Sequence, residues 1–580
     1  MIGISLLFPL LVLAGSVPKG IGGRDASRPK LLVYVSVDQL AARYIERFSP
    51  FLGPGGFRRL MAKGVYFSRG SYMDSATETG PGHSVLSTGT YPCQSGIVGN
   101  LWLEGPALKR RYCVGGTKGM SPATLKVPTF SDQWRKVFGP KSRIFSLSLK
   151  DRAAILLGGH KADYVGWGHS LGTSSYYLDR GLSPWGKRAK EVLRRYVKGE
   201  RKHWKGARWE PIWNSWKPAK VHALLKRGLR KDDDPAEQAP RPWKNHFPHV
   251  IGPKGRLLFS SPFGNAFLVK AAEALLQDSV LALGRDGIPD LLLLSFSSND
   301  YVGHAFGPDS WEVADTFLRL DRQLEGLMNQ LDQRVGEGNY VLCLSADHGV
   351  APIPGPGSKM QYLNLRSWVP EEPEKSGLYP RLAMALAKEF APSLPEGFQA
   401  VQPFGAGKFR RVRFPLFSSS GREIYLRKNL LDRYDLDEKT VSRFIRIWLQ
   451  SQAEVLDAAS VWDLQNMTEE QASKHPSWKL FLKACYPGRS GDVFYALKPQ
   501  FLGFLPRAGL AASHGTIHSY DREVPIFFYG AGVPGGKKFS KAVSVARMVP
   551  TAARLFGIAP PSSCREAPLS WKNKEEIKKK

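Results

Sequence analysis

LLVYVSVDQ, residues 31–39, is an aliphatic run that ends abruptly on an aspartate, Asp38. Alternating apolar and polar residues would mark a strand with one wet face. A continuous run marks a strand buried on both faces, as in parallel sheets. LLLLSF (291–296), YVLCLS (340–345) and VPIFFYG (524–530) read the same way, as parallel strands. Helical patterns lie between some of them, for example SWEVADTFLRLDRQLEGLMNQL (310–331). Strands alternating with helices predict an α/β fold with a mostly parallel central sheet.

The chain has 580 residues, 42% of them hydrophobic, which is enough for a large core and several domains. Two stretches interrupt the strand rhythm. Residues 156–255 are basic and Trp-rich, and residues 355–505 mix helices and strands such as GREIYLRKNLL (421–431). They read as inserted cap regions between core segments 30–155, 256–354 and 506–562, ahead of a Lys-rich tail, 563–580. The N-terminal run IGISLLFPLLVLAGS ends in small residues at Ala14 and Ser16. It predicts a signal peptide over residues 1–16 and a periplasmic or secreted chain, although no basic residue precedes the run. No cysteine follows it, which argues against a lipoprotein, and no later run is long enough to span a bilayer.

Five cysteines leave at least one unpaired within the chain. Cys343 lies in an apolar run and reads as a buried thiol. Cys93 and Cys113 flank a turn-rich loop and are expected as one disulfide, with Cys485 and Cys564 as a second. The formal charge is +31, with bases concentrated in residues 187–209 and in the tail. Such a field attracts anions. No nucleic-acid motif accompanies it, so no specific nucleic-acid partner is expected. The bases read as a solvated surface, and nonspecific contact with an anionic polymer stays open.

The chemistry gathers at strand ends. Asp38 closes the first strand. Asp300 and His304 follow the second in LLLLSFSSNDYVGH, and Asp347 and His348 follow the third in YVLCLSADHG. His514, in AASHGTIHSYD, precedes VPIFFYG. In α/β sheets, sites form outside the carboxyl ends of the strands, so these residues should meet. Three aspartates in one place repel unless cations neutralise them. Asp oxygens and His nitrogens suit zinc, and six ligands suffice for two ions. Two nearby divalent ions stabilise both the attacking and leaving oxygens of an in-line phosphoryl displacement.

ATETGPGHSVLSTG (76–89) places Thr79 on a glycine-rich turn, before an apolar helix expected from about His83. A threonine there is either a helix cap or a nucleophile whose developing charge the helix N-terminus stabilises. The metal set elsewhere in the chain needs a nucleophile of this kind.

VSVDQL, ATETGPGHSVLSTG, GIVGN (96–100), SLKDR (148–152), the D-x3-H at 300–304, ADHG (346–349) and HGTIHSYD (514–521) occur together and in order. The chain thereby resembles the alkaline phosphatase superfamily, and within it the phosphate-irrepressible alkaline phosphatases with a threonine nucleophile. The resemblance implies a three-layer core and an exported monomeric enzyme that hydrolyses small phosphate monoesters. It implies Thr79 as the nucleophile, phosphorylated in turnover. Asp38, Asp347 and His348 would bind the zinc that activates Thr79, and Asp300, His304 and His514 the second zinc. Asn100 would touch one phosphoryl oxygen, and Lys150 and Arg152 the others. His83 is expected to support the nucleophile turn. His518 is read as a non-ligand, and His160, His169, His203, His222, His246, His249 and His475 as structural or surface residues. A paired Lys and Arg favour a dianionic monoester over a diester; a phosphodiesterase or nucleotide pyrophosphatase is the alternative. A non-catalytic anion-binding protein is the rival from another class.

Overall fold

The computed structural model describes residues 28–571, apart from 118, 169–171, 174–181, 201–202, 253–254, 356 and 405–410. The expected signal peptide, His169 and the last nine residues of the Lys-rich tail therefore lie outside the described residues. Strand β1, Leu31–Val37, is buried along its whole length. It pairs in parallel with β6 (Asp290–Phe296) on one side and β7 (Tyr340–Ser345) on the other. Beyond β6 come β3 (Ile144–Ser148) and β4 (Tyr164–Trp167), both parallel to their inner neighbours, then the short antiparallel β5 (Gly172–Thr173). Beyond β7 come β8 (Glu523–Gly530) and β2 (Gly64–Ser71). The two short strands β9 (Lys537–Phe539) and β10 (Val543–Ser544) pair in parallel with β2. The fold is α/β with a mixed, mostly parallel central sheet.

The strand VPIFFYG differs from its reading. β8 runs antiparallel to both β7 and β2. Its continuous apolar run reports burial on both faces, and that burial is independent of strand direction.

Four helices matter for the site: α1 (Thr79–Thr88), α2 (Asp151–Gly158), α3 (Ser298–Phe306) and α4 (Trp311–Arg334). Helix α1 begins at Thr79, four residues before the expected start, and every one of its residues is buried. It packs on α2.

The two interruptions differ in how they pack. Trp209, Trp213 and Leu193, from the first, belong to the main hydrophobic core. The helix Pro184–Glu200 buries Ala189, Val192, Leu193 and Val197, and turns Lys187, Lys190, Arg194, Arg195 and Lys198 to solvent. Much of the basic charge there is thus a solvated helix face. In the second, residues between Leu365 and Leu497 form a hydrophobic cluster of their own. It contains an antiparallel sheet of Phe417–Ser420, Glu423–Leu426, Val493–Leu497 and Val455–Ser460.

Neither expected disulfide forms; all five cysteines are free thiols. Cys113 packs at the start of α1, where its Sγ is 3.0 Å from the position a Cβ on Gly80 would take. Cys564 packs at the other end of the same helix, against Gly89. Cys485 joins a small cluster with Trp478 and Phe481. Flanking a loop in sequence did not bring these sulfurs together. Among the described residues no helix is long and apolar enough to cross a membrane.

Candidate active site

Sheet register builds the site. Ser148, Ser295, Ser36 and Ser345 lie in one row across β3, β6, β1 and β7. Side chains two residues apart share a strand face. Two residues beyond that row stand Lys150, Asp38 and Asp347, so three ionisable groups leave the sheet at one level. All three are buried, although β-strand ends usually reach water. After β6 the chain turns into α3, where Asp300 and His304 stand one turn apart on the same face.

The histidines are prepared for cations. His304 Nδ1 lies 2.6 Å from Ala512 O, His348 Nδ1 2.9 Å from Gly349 O, and His514 Nδ1 2.8 Å from Thr77 O. A carbonyl only accepts, so each Nδ1 carries a proton, which in the neutral ring leaves the Nε2 lone pair free. All three Nε2 atoms face carboxylates: His304 to Asp300 at 3.2 Å, His514 to Asp300 at 3.5 Å, and His348 to Asp38 at 3.5 Å. Asp38 Oδ1 and His348 Nε2 are buried with no hydrogen-bond partner. Buried orphans of this kind are costly in a folded chain. Two acceptor atoms facing each other suit a divalent cation between them.

Two sets of ligand atoms cluster closely enough to share an ion: Asp300–His304–His514 and Asp38–Asp300–His348. The first matches the expected grouping. The second has Asp300 where Asp347 was expected, so Asp300 belongs to both groups of candidate ligand atoms. Asp347 stands beside them. Its Oδ1 accepts from Gln39 N–H at 3.2 Å, and its Oδ2 lies 3.5 Å from His348 Nε2.

Electrostatics follow from this crowding. Burial, with the charges of Asp300 and Asp347, pushes the Asp38 carboxyl well above its ordinary range. Burial would also raise Asp300, but His304 and Lys150 beside it outweigh that and hold it well below. Burial drives His348 down to about 3, keeping its imidazole neutral. Lys150 Nζ lies 2.6 Å from Asp38 Oδ2 and donates to Asp300 Oδ2 at 2.5 Å.

Thr79 stands over this cluster. Its Oγ1 accepts from Lys150 Nζ at 3.4 Å and from Arg152 Nη2 at 3.3 Å. It does not cap α1: the N-cap residue is Glu78, and Thr79 is the first residue of the helix proper. Asn100 reaches the next residue, accepting from Gly80 N–H. The structure thus brings together Asp38, Thr79, Asn100, Lys150, Arg152, Asp300, His304, Asp347, His348 and His514. His518 points elsewhere, with Nε2 2.9 Å from Leu497 O.

Three supporting residues complete the site. His83 Nδ1 lies 2.9 Å from Thr79 O and 3.2 Å from Asp347 Oδ2, and Nε2 lies 2.8 Å from Ser295 Oγ. It ties the Thr79 turn to the sheet. Gln39 escaped sequence reading. It holds a left-handed backbone (φ 66) and donates from Nε2 to Asp300 Oδ1 at 2.7 Å. Its only signal was a position next to Asp38. Gly82 is the third. A Cβ there would stand 2.2 Å from Asp347 O, so α1 touches the Asp347 loop backbone to backbone. Gly82→Ala is expected to push Asp347 away and reduce activity roughly 10- to 100-fold, the usual effect of disturbing a ligand's support. Metal content and far-UV circular dichroism would check it; an unchanged activity would mean the helix can shift freely.

The comparisons with known proteins agree with this geometry. The family described as type I phosphodiesterase / nucleotide pyrophosphatase matches residues 32–397. Alkaline phosphatase PhoV of Synechococcus elongatus is 29% identical over 561 residues, covering 93% of this chain and 92% of that protein. Alkaline phosphatase PafA of Elizabethkingia meningoseptica is 28% identical over 580 residues, covering 94% of each. The crystal structure of wild-type PafA superposes with a TM-score of 0.76 at 26% identity, over 93% of this chain and 98% of that one. That match carries the likeness through the second interruption, beyond the reach of the family match. With its register-built cluster of carboxylates, imidazoles and a helix-borne threonine, the chain belongs to the type I phosphodiesterase / nucleotide pyrophosphatase family of the alkaline phosphatase superfamily.

Proposed function

We propose that the chain is an exported, monomeric alkaline phosphatase that hydrolyses small phosphate monoesters through a phosphothreonine at Thr79, with two zinc ions as cofactor. The observation that carries this reading is the set of three imidazoles whose Nδ1 atoms are tied to carbonyls and whose Nε2 atoms face Asp38 and Asp300. Asp300, His304 and His514 would hold one ion, and Asp38, Asp347 and His348, with the shared Asp300, the other. When bound, such a pair supplies Lewis-acid stabilisation to the entering and leaving oxygens.

The chain's own residues do the rest. Thr79 loses its proton and its Oγ1 attacks phosphorus; the P–O bond to the alcohol breaks, and the alcohol leaves with a proton. Water then attacks the phosphothreonine and the P–Oγ1 bond breaks, releasing inorganic phosphate and restoring the hydroxyl. Lys150 and Arg152 place two cations beside Oγ1, where the three equatorial oxygens of the transferring group gather charge. Arg152 brings a planar fork and Lys150 a point charge. Two cations match a dianion better than a diester's single charge, and the names of the relatives PhoV and PafA point the same way.

Metal content measured beside hydrolysis of a nitrophenyl monoester and a diester, with and without chelator, tests the reading. About two zinc ions per chain and chelator-sensitive turnover that prefers the monoester are expected. A diester preference would keep the metals and Thr79 but overturn the roles of Lys150 and Arg152. Binding of anions without any turnover would favour the non-catalytic rival.

A further inference from the structure

Helix α1 starts without a cap of its own. Glu78 at the N-cap is extended (φ −122, ψ 162), and its side chain makes no bond to the first turn. A helix start leaves orphan N–H groups that need acceptors. One of them, Gly80 N–H, donates to Asn100 Oδ1 at 2.7 Å. The Glu78 side chain goes the other way: its Oε2 accepts from Asn100 N–H at 2.7 Å. Two bonds thus close a ring between the helix start and the 96–100 loop. The pattern is a capping box drawn across space, with side chain and backbone exchanged between two segments.

The ring fixes which way the Asn100 amide points. Gly80 N–H can only donate, so the amide end facing it is the oxygen. The Nδ2 end, with its two N–H donors, is left for an acceptor. The fit around the ring is tight: a Cβ on Gly80 would stand 3.1 Å from Asn100 Oδ1 and 3.0 Å from Cys113 Sγ. The other side of the Asn100 backbone is anchored too, where its carbonyl accepts from Cys113 N–H at 3.0 Å. Among the described contacts, the N–H side depends on Glu78.

A carboxylate one residue from Thr79 repels a dianionic substrate and so calls for a compensating purpose. We infer that Glu78 is the positioning residue for Asn100: its Oε2 holds the Asn100 backbone so that Nδ2 presents its donors to a phosphoryl oxygen at Thr79. A charged acceptor makes this bond stronger than a neutral one. The inference rests on the phosphomonoesterase reading, in which Asn100 touches substrate.

A double-mutant cycle on the metal-loaded full chain tests it, with kcat and KM measured separately on a nitrophenyl monoester. Glu78→Ala is expected to lower kcat/KM roughly 10- to 100-fold, as loss of an outer support typically does. Glu78→Gln keeps an acceptor at the same reach and should retain activity within about fivefold, since a neutral hydrogen bond replaces a charged one. In an Asn100→Ala background, Glu78→Ala should cost nothing further, because coupled residues are non-additive. If Glu78→Ala does not fold, Glu78→Asp replaces it; one methylene shorter, it falls short of Asn100 N–H and should show the same silence in the Asn100→Ala background. Equal losses in both backgrounds, or a Glu78→Gln variant as damaged as Glu78→Ala, would overturn the inference. Wild-type chain with no monoester turnover would instead sink the enzymatic reading, so the two failures are distinct.

Discussion

Thr79→Ala is expected to fold, retain its metal and lose monoester turnover on the order of 10⁴-fold, about 5 kcal/mol of transition-state stabilisation. The stability half of this prediction comes from where Thr79 stands. Removing a capping threonine costs about 0.5–2 kcal/mol. Thr79 is inside α1 rather than at its cap, and among the described residues its hydroxyl bonds to Lys150 and Arg152. Alanine is also the best helix former. The activity half comes from the same two bonds. They aim both cations at an oxygen, and alanine has none to offer. Thermal unfolding, metal content and kcat/KM read the three parts separately. A variant that keeps its turnover, or one that unfolds with its metal lost, would overturn the assignment; only the second would restore Thr79 as a structural residue. Thr79→Ser, which keeps the hydroxyl, should retain measurable turnover.

Asp300→Asn attacks the site at its hub. Asp300 accepts from Gln39 Nε2 and from Lys150 Nζ, and it faces His304 and His514 Nε2. It also belongs to both sets of ligand atoms. Asparagine has nearly the same shape but no charge. One of its two ends must be an NH2 group, which would face a donor in Lys150 or Gln39. Breaking a buried charge pair on one side typically costs about 3–5 kcal/mol. The variant should therefore unfold at a lower temperature, hold less zinc after dialysis and lose at least about 10³-fold in turnover, or about 4 kcal/mol. Chelator should lower the unfolding temperature of the wild-type chain and leave that of Asp300→Asn nearly unchanged. A variant that still holds its full metal complement would show that Asp300 is not shared.

Much of this was legible in residues 31–39 and their kin. Continuous apolar runs give away strands buried on both faces, and an aspartate directly after such a run has no packing reason to be there. That logic located Asp38, Asp300 and Asp347 and the histidines near them. It failed wherever the answer depended on distance across space. The direction of β8 is invisible in VPIFFYG, because burial is symmetric to strand polarity. The cysteines flank loops, but loops do not report where sulfurs meet. Lys150 alone reads as a surface turn residue, yet it is 3% exposed, because the register of β3 places it among the aspartates. Gln39 and Glu78 lie inside quoted motifs without a reading of their own; Gln39 matters through its bonds to Asp300 and Asp347, and Glu78 through its bond to Asn100. The division of the ligands into two sets was least legible, since Asp300 joins both only once α3 is docked.

The spread of the candidate ligands along the chain has a consequence for the order in which the protein assembles. Asp38 leaves the ribosome first and His514 nearly last, after the entire second interruption. Contacts between such distant segments form slowly, because long loops must close before they are rewarded. The first strand, α1 and α3 can therefore reach native-like packing while one of the three imidazoles is still missing. On refolding, recovery of turnover should follow the docking of residues 514–530 onto β7 and β2 rather than the appearance of helix signal. The segment that follows the second interruption is the one that completes the site.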